Sequence, residues 1–121
     1  MKIRNEDSVE HSLDVVRLDA MVRGWFVGDF APAAYRTKDI EVAVQQFVAG
    51  SIEPAHVHLK ATEITLLLQG RCRMAGRELS AGDIITLPPG VVSDFEALEA
   101  CITVVVKHPS VLNDKFVVNE C

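Results

Sequence analysis

Three side chains in one short apolar stretch carry the strongest chemical signal in this chain. The stretch GSIEPAHVHLKATEITLLLQG runs from Gly50 to Gly70 and holds His56, His58 and Glu63. Side chains on a strand alternate faces, so His56 and His58 point the same way and Val57 the other. Glu63 has the wrong parity for that face on an unbroken strand, but Leu59, Lys60, Ala61 and Thr62 suffice for a turn. Glu63 is then expected to open a neighbouring antiparallel strand opposite the histidines, about 5 Å away across the pair. Two imidazoles and a carboxylate on a common face, with positions left open, make the triad that suits non-haem Fe(II) and also Mn or Ni. Three protein ligands and a water suit Zn as well. An HxH pair alone is a weak signal, because two strand histidines also serve a metal-free polar pocket as hydrogen-bond partners.

The elements that must position these residues read as strands. Short runs of Val, Ile, Phe and Thr punctuated by Gly and Pro recur along the chain, and helical periodicity is scarce. Strands are expected over 13–18, 22–30, 39–49, 55–59, 63–69, 71–75, 83–88, 91–95 and 100–107. Ala33, Ala34 and Tyr35, after Pro32, read as a loop, and 112–120 carries no assignable element. Ala75-Gly76 suits a two-residue hairpin, and Pro89-Gly90 suits the centre of a type II turn. Roughly eight or nine short antiparallel strands cannot lie in one open sheet without exposing apolar faces. An all-β arrangement of two packed sheets or a closed barrel is the expectation. It forms one domain, with residues 1–39 flanking the barrel, 40–108 as its core and 109–121 as a C-terminal tail.

The same residues resemble a known family. Gly50-x5-His56-x-His58-x4-Glu63-x6-Gly70 matches the first cupin motif at every defined position, and Gly82-x5-Pro88-x-Gly90, within GDIITLPPG, matches the front half of the second. The resemblance implies a single-domain cupin, a double-stranded β-helix or jelly-roll barrel with its ligands in the interior, and commonly a dimer. It implies that His56, His58 and Glu63 are metal ligands for Fe, Mn, Ni or Zn. Glu63 is the candidate catalytic residue, a general base where it is released from the ion. The pattern departs at Ser93, where a fourth ligand histidine is expected, and at Ala97, where an asparagine is expected. A serine hydroxyl is a neutral, poor ligand. The fourth position then falls to water or substrate, or the pocket holds an organic ligand and no ion. Asp94 and Glu96 are better suited chemically but fall on the opposite strand face.

Inward parity adds Thr65, Leu67, Ser93 and Phe95 to the expected pocket, a mixture of apolar wall and polar groups that suits a small molecule. Gln45 and Gln46 must face opposite ways, as exposed strand positions unless one reaches the interior. Trp25 and Phe26 also face opposite ways, so their strand needs cover on both faces, and a homodimer is expected to supply it. Arg23, Arg36 and Lys38 read as solvated cations, with recognition of an anionic ligand as the lesser alternative, and His11 and His108 lie far from the motif. Cys72 and Cys101 read as buried, reduced packing residues, and Cys121 as an idle terminal thiol.

Composition excludes several function classes. About half of the 121 residues are apolar and a quarter charged, as in ordinary globular domains. A net charge of −5 with no basic run argues against nucleic acid and anionic membrane as partners. No apolar stretch reaches the roughly 18 residues of a membrane span. The polar start MKIRNEDSVEH is unlike a secretory signal, so a cytoplasmic location is expected. Phosphate loops, GxSxG turns and HExxH helices are absent from the sequence. The expected function is a metal-dependent enzyme of oxygenase or isomerase type acting on a small polar or organic-acid substrate. The alternative is a metal-free module that binds or senses a small molecule.

Overall fold

Period-two alternation turns most of the described chain, residues 13–119 of the computed structural model, into strands. Eleven are present among the described residues: β1 Trp25–Gly28, β2 Tyr35–Arg36, β3 Glu41–Phe47, β4 Ile52–His58, β5 Thr62–Gln69, β6 Arg71–Met74, β7 Arg77–Ser80, β8 Ile84–Leu87, β9 Val92–Ala97, β10 Cys101–His108 and β11 Lys115–Val117. They form a six-stranded sheet in the order β2-β1-β3-β10-β5-β8 and a five-stranded sheet in the order β11-β4-β9-β6-β7. Pairing is antiparallel except between β1 and β2. The all-β jelly-roll class expected from the sequence is the class observed. No helix of the described residues is long and apolar enough to cross a membrane.

The two inner faces meet in an apolar core built on Leu67, Cys72, Met74, Leu79, Leu87 and Phe95. Each fully buried side chain of this size contributes roughly 1.5–3 kcal/mol through removal from water. Cys72 and Cys101 are buried and unbridged. Burial pushes the Cys72 thiol up to about 11, which keeps it protonated and unreactive. Turn chemistry follows the residue types. Ala75 and Gly76 both take positive φ (51° and 75°), a type I′ hairpin between β6 and β7. Gly90 takes φ 86° and the Val91 N–H donates to the Pro88 carbonyl, closing the type II turn.

Five expectations about elements are corrected. Residues 13–18 form no strand; 13–17 run without ladder bonds into a 3-10 turn at Leu18–Ala20, because β2 takes the edge of β1. The single strand expected over 22–30 is broken by a type I′ turn, in which Arg23 (φ 49°) and Gly24 (φ 81°) hold positive φ and Trp25 N–H donates to Val22 O. A Cβ on Gly24 would lie 1.9 Å from the Val44 carbonyl oxygen, so only glycine lets this turn seat on β3. Tyr35 is not in a loop but in β2, and the tail carries β11, which extends the five-stranded sheet beside β4. His11 and Cys121 lie outside the described residues.

The fifth correction bears on the site. β4 and β5 are not neighbours in one sheet: β4 pairs with β9 and β11, and β5 with β10 and β8. The connection at residues 59–61 carries the chain from one sheet to the other. Glu63 therefore faces the histidines across the barrel interior rather than along a ladder. Alternation predicts which face a residue occupies, but not whether a short connection stays in the sheet or crosses the core.

Candidate metal centre

His56 and His58 project from β4 and Glu63 from β5, and all three are buried. One ligand atom from each lies within 4.8 Å of the others. The imidazole rings meet edge-on, with centroids 5.2 Å apart. The register of β4 slips against β9 between Glu53 and His56, at Pro54, which has no N–H to give the ladder. The freed Pro54 carbonyl accepts a hydrogen bond from His56 Nδ1 at 3.0 Å. His58 Nδ1 donates in the same way to the carbonyl of Asp114, at 3.1 Å.

Those two bonds define the site. A carbonyl oxygen only accepts, so each Nδ1 carries a proton, and in a neutral ring Nε2 then presents a lone pair. The Nε2 of His58 lies 3.3 Å from Glu63 Oε1. Two lone pairs meet there, and the contact is attractive only with a positive charge between them. A metal ion supplies that charge, or a second proton on the ring does. The spacing also fits two donors sharing one ion at bonds of about 2.0–2.2 Å. Hydrogen bonding of the remote imidazole nitrogen to a backbone carbonyl is how metal-ligating histidines are held.

Burial alone would raise the Glu63 carboxyl. With a proton on His58 Nε2, the hydrogen bond and charge of His58, the charge of Lys107 and the Thr65 hydroxyl outweigh burial and hold it below the usual carboxylate range. Thr65 Oγ1 donates to Glu63 Oε2 at 3.1 Å, which leaves Oε1 toward His58.

The connection joining the ligand strands is clamped by Asp114. Its buried carboxylate accepts backbone N–H bonds from Leu59, Lys60 and Ala61 at 3.1, 3.1 and 2.9 Å. Burial would raise this carboxyl, but the three N–H bonds and nearby His58 outweigh it and hold it low. Asp114 thus fixes the crossing between the sheets through its side chain and His58 through its backbone.

The ligands open into a cavity of about 90 Å³. Phe47, Met74, Phe95 and Val105 form its apolar wall. Phe47 and Phe95 pack with ring centroids 4.5 Å apart. Thr65 and Phe95 line this cavity. Leu67 does not: it is fully buried in the core beside Cys72, one step past the end of the open space. Ser93 sits on β9 directly opposite His56 and is 3% exposed, yet its hydroxyl donates to the adjacent Asp94 carbonyl and it is not part of the lining. Asp94 points outward, as alternation requires, accepts the Ala75 N–H and reaches the cavity rim. Glu96 is engaged with Arg73 at the surface. Gln45 reaches the lining while Gln46 is exposed. Arg36 pairs with Asp29, and His108 is exposed and bonded to the Asp39 carbonyl.

Two further residues belong to the site and were not singled out in the sequence. Lys107, at the end of β10, shares the inner face with Thr103 and Val105, and its ammonium lies 4.8 Å from the centroid of Trp25. Burial pushes its pKa down against the opposing charges of Glu63 and Glu41. The parity of CITVVVK, which places a lone lysine on an otherwise inward face, was the available signal. Asp114 had none, because its partners are backbone N–H groups more than fifty residues away.

No family model matches the chain, and no curated protein does. Solved structures do. A conserved uncharacterized protein with a double-stranded β-helix domain from Klebsiella pneumoniae superposes with TM-score 0.61 and 26% identity, covering 69% of this chain and 78% of that one. KdgF from a Halomonas species gives TM-score 0.57 and 26% identity over 60% of this chain and 72% of its own. Oxalate decarboxylase of Bacillus subtilis, described with its Mn(II) centres, gives TM-score 0.58 and 21% identity over 68% of this chain. The chain spans about a quarter (25%) of that enzyme's length, and this likeness shows the fold alone.

Proposed function

Because the chain belongs to the cupin superfamily, we propose that it is a metal-dependent enzyme in which His56, His58 and Glu63 hold one divalent ion, with oxygenase or isomerase chemistry on a small polar or organic-acid substrate. The observation that carries this reading is the 3.3 Å approach of His58 Nε2 to Glu63 Oε1 while both Nδ1 atoms donate to carbonyls. An ion at this position would supply Lewis-acid polarisation of a substrate oxygen. The chain's own residues do the rest. Pro54 and Asp114 orient the imidazoles, Thr65 holds one oxygen of Glu63, and the apolar wall excludes water from a space sized for a ligand of few atoms. Mn(II) is the ion to test first, given the Mn(II) centres named for the oxalate decarboxylase. With three protein ligands, coordination positions stay open, as in working rather than structural metal sites.

A homodimer and a cytoplasmic location belong to the same proposal. Exposed Leu13, Val15, Val16 and Val22 favour a partner copy, and the free thiols of Cys72 and Cys101 favour a reducing compartment.

One observation favours a second reading, a metal-free binding or sensing module: Ser93 stands where a fourth ligand would, and its hydroxyl is turned to a backbone carbonyl. Elemental analysis of untagged protein beside His58→Ala separates the two. The metal reading expects near-stoichiometric Mn, Fe, Ni or Zn that disappears in the variant. No metal in either protein after reconstitution overturns it.

A further inference from the structure

Lys107 is placed to do more than balance charge. On β10 it stands directly opposite Glu41 of β3 on one side and Glu63 of β5 on the other. Cross-strand neighbours of opposite charge ordinarily pair. Among the described residues Lys107 forms no ion pair with either. Glu41 instead accepts the Ser110 hydroxyl at 2.8 Å, and Glu63 faces His58. The lysine extends along the inner face and lays its ammonium over Trp25, in the lining of the cavity that holds the ligands. A partly desolvated ammonium over an aromatic face keeps donors free for a ligand.

Arg23 adds to this at the mouth. It lines the cavity and also two surface grooves. It sits at positive φ in the Val22–Trp25 turn, a position that favours glycine or asparagine. Gly24 seats that turn against Val44, and the Arg23 carbonyl accepts Gln45 Nε2 at 3.1 Å. An unfavourable backbone conformation held on both sides is a feature of functional positions. Lys115, on β11, completes a basic rim. Against these three bases the lining carries Glu53, Glu63 and Asp94. With an ion bound at Glu63, its +2 charge leaves the cavity with an excess of positive charge.

We propose that Lys107, with Arg23 at the mouth, anchors a substrate carboxylate, and that the substrate is a small organic anion bearing a second oxygen function. An ion held by Glu63, on the strand beside that of Lys107, would take that second oxygen. This assignment rests on the metal-centred reading above and deepens it.

Lactate and propane-1,2-diol test it, since they share a skeleton and differ in the carboxylate. Calorimetric titration is performed on the Mn(II)-loaded protein, its Lys107→Met variant and Lys107→Arg. The expected result is lactate binding at least ~30-fold tighter than the diol. Lys107→Met should lose at least tenfold of the lactate affinity, as expected for removing a partly buried charge partner, with diol affinity and manganese content unchanged, and Lys107→Arg should retain the preference. Equal affinities for the two ligands, or lactate binding unchanged in Lys107→Met, overturns the anchor while the metal reading stands. If the protein takes up none of Mn, Fe, Ni or Zn, the metal reading falls by itself. The anchor is then judged on lactate binding to the ion-free protein, which must still depend on Lys107. Should Lys107→Met fail to fold, Arg23→Ala at the exposed mouth is the second variant, with a severalfold loss for lactate only.

Discussion

Ser93→His tests the geometry of the centre by adding to it. Ser93 lies opposite His56 across the β4–β9 pair and its side chain is buried on the same inner face. Facing Cβ atoms in such a pair are about 4.5–5.5 Å apart, so an imidazole at 93 reaches the space the other ligands share. Four-ligand structural zinc sites bind with about 10–16 kcal/mol, or roughly 3 kcal/mol for each ligand. Placing a ring in a packed interior costs about 1–3 kcal/mol, and the neighbouring cavity of about 90 Å³ puts this substitution at the lower end. The lost serine hydrogen bond is long, at 3.2 Å, and subtracts little. The net gain is about 1–2 kcal/mol, a roughly tenfold tighter ion. Competition of Mn(II) between the protein and a chelator measures the affinity, and thermal melting of the ion-free variant measures the packing cost. The expected pattern is a melting temperature lowered without metal and a Kd lowered with it. A folded variant whose Kd is unchanged or weaker, beside an unaffected Ser93→Ala control, refutes the placement of position 93 at the ion.

Two other substitutions separate the parts of the site. Asp114→Asn removes the charge that accepts the Leu59, Lys60 and Ala61 N–H groups, so at neutral pH it should cost about 1–3 kcal/mol of stability and weaken Mn(II) binding. Because the folded protein holds the Asp114 carboxyl below its ordinary value of 3.8, its contribution is complete above that pH and is lost as the pH falls through the lower folded value. The stability difference between wild type and Asp114→Asn, followed by chemical denaturation, should therefore shrink on acidification below 3.8; a difference constant with pH refutes the clamp. Leu67→Ala should cost about 2–5 kcal/mol because the side chain is wholly buried in the core, yet leave the Mn(II) affinity of the folded protein within about twofold. A variant as stable as wild type but altered in metal or ligand binding would return Leu67 to the pocket.

What was legible in the sequence follows period and turn chemistry. Alternation identified the inward faces of β4, β5 and β9, and the Ala75-Gly76 and Pro89-Gly90 turns form as their residue types require. What was not legible depends on long-range pairing. The β-branched residues of 13–18 have strand propensity but no ladder partner, and propensity without a partner does not make a strand. Parity placed Glu63 toward the histidines but could not place it in the other sheet, since four residues serve a hairpin and a crossing equally well. Arg23-Gly24 broke an expected strand because the close approach of Gly24 to Val44 is visible only once β3 is in position. Leu67 has the right parity and the wrong depth, because burial along β5 passes from cavity to core within one pleat.

The division of ligands between sheets bears on what kind of metal site this is. Two donors come from the five-stranded sheet and one from the six-stranded sheet, so an ion held by all three would tie the sheets together. The apolar core that joins the sheets lies elsewhere, around Leu67, Cys72, Leu79 and Leu87, and does not depend on the ligands. Structural zinc sites stand in for a core that a small domain lacks, and they close their coordination shell. Here the barrel has its own core, the connection between ligand strands is held by Asp114 rather than by an ion, and the position opposite His56 offers only a hydroxyl turned away. A core and hydrogen bonds of the chain itself help to position the donors. An incomplete set of ligands on a preorganised frame fits an ion whose remaining positions serve a substrate.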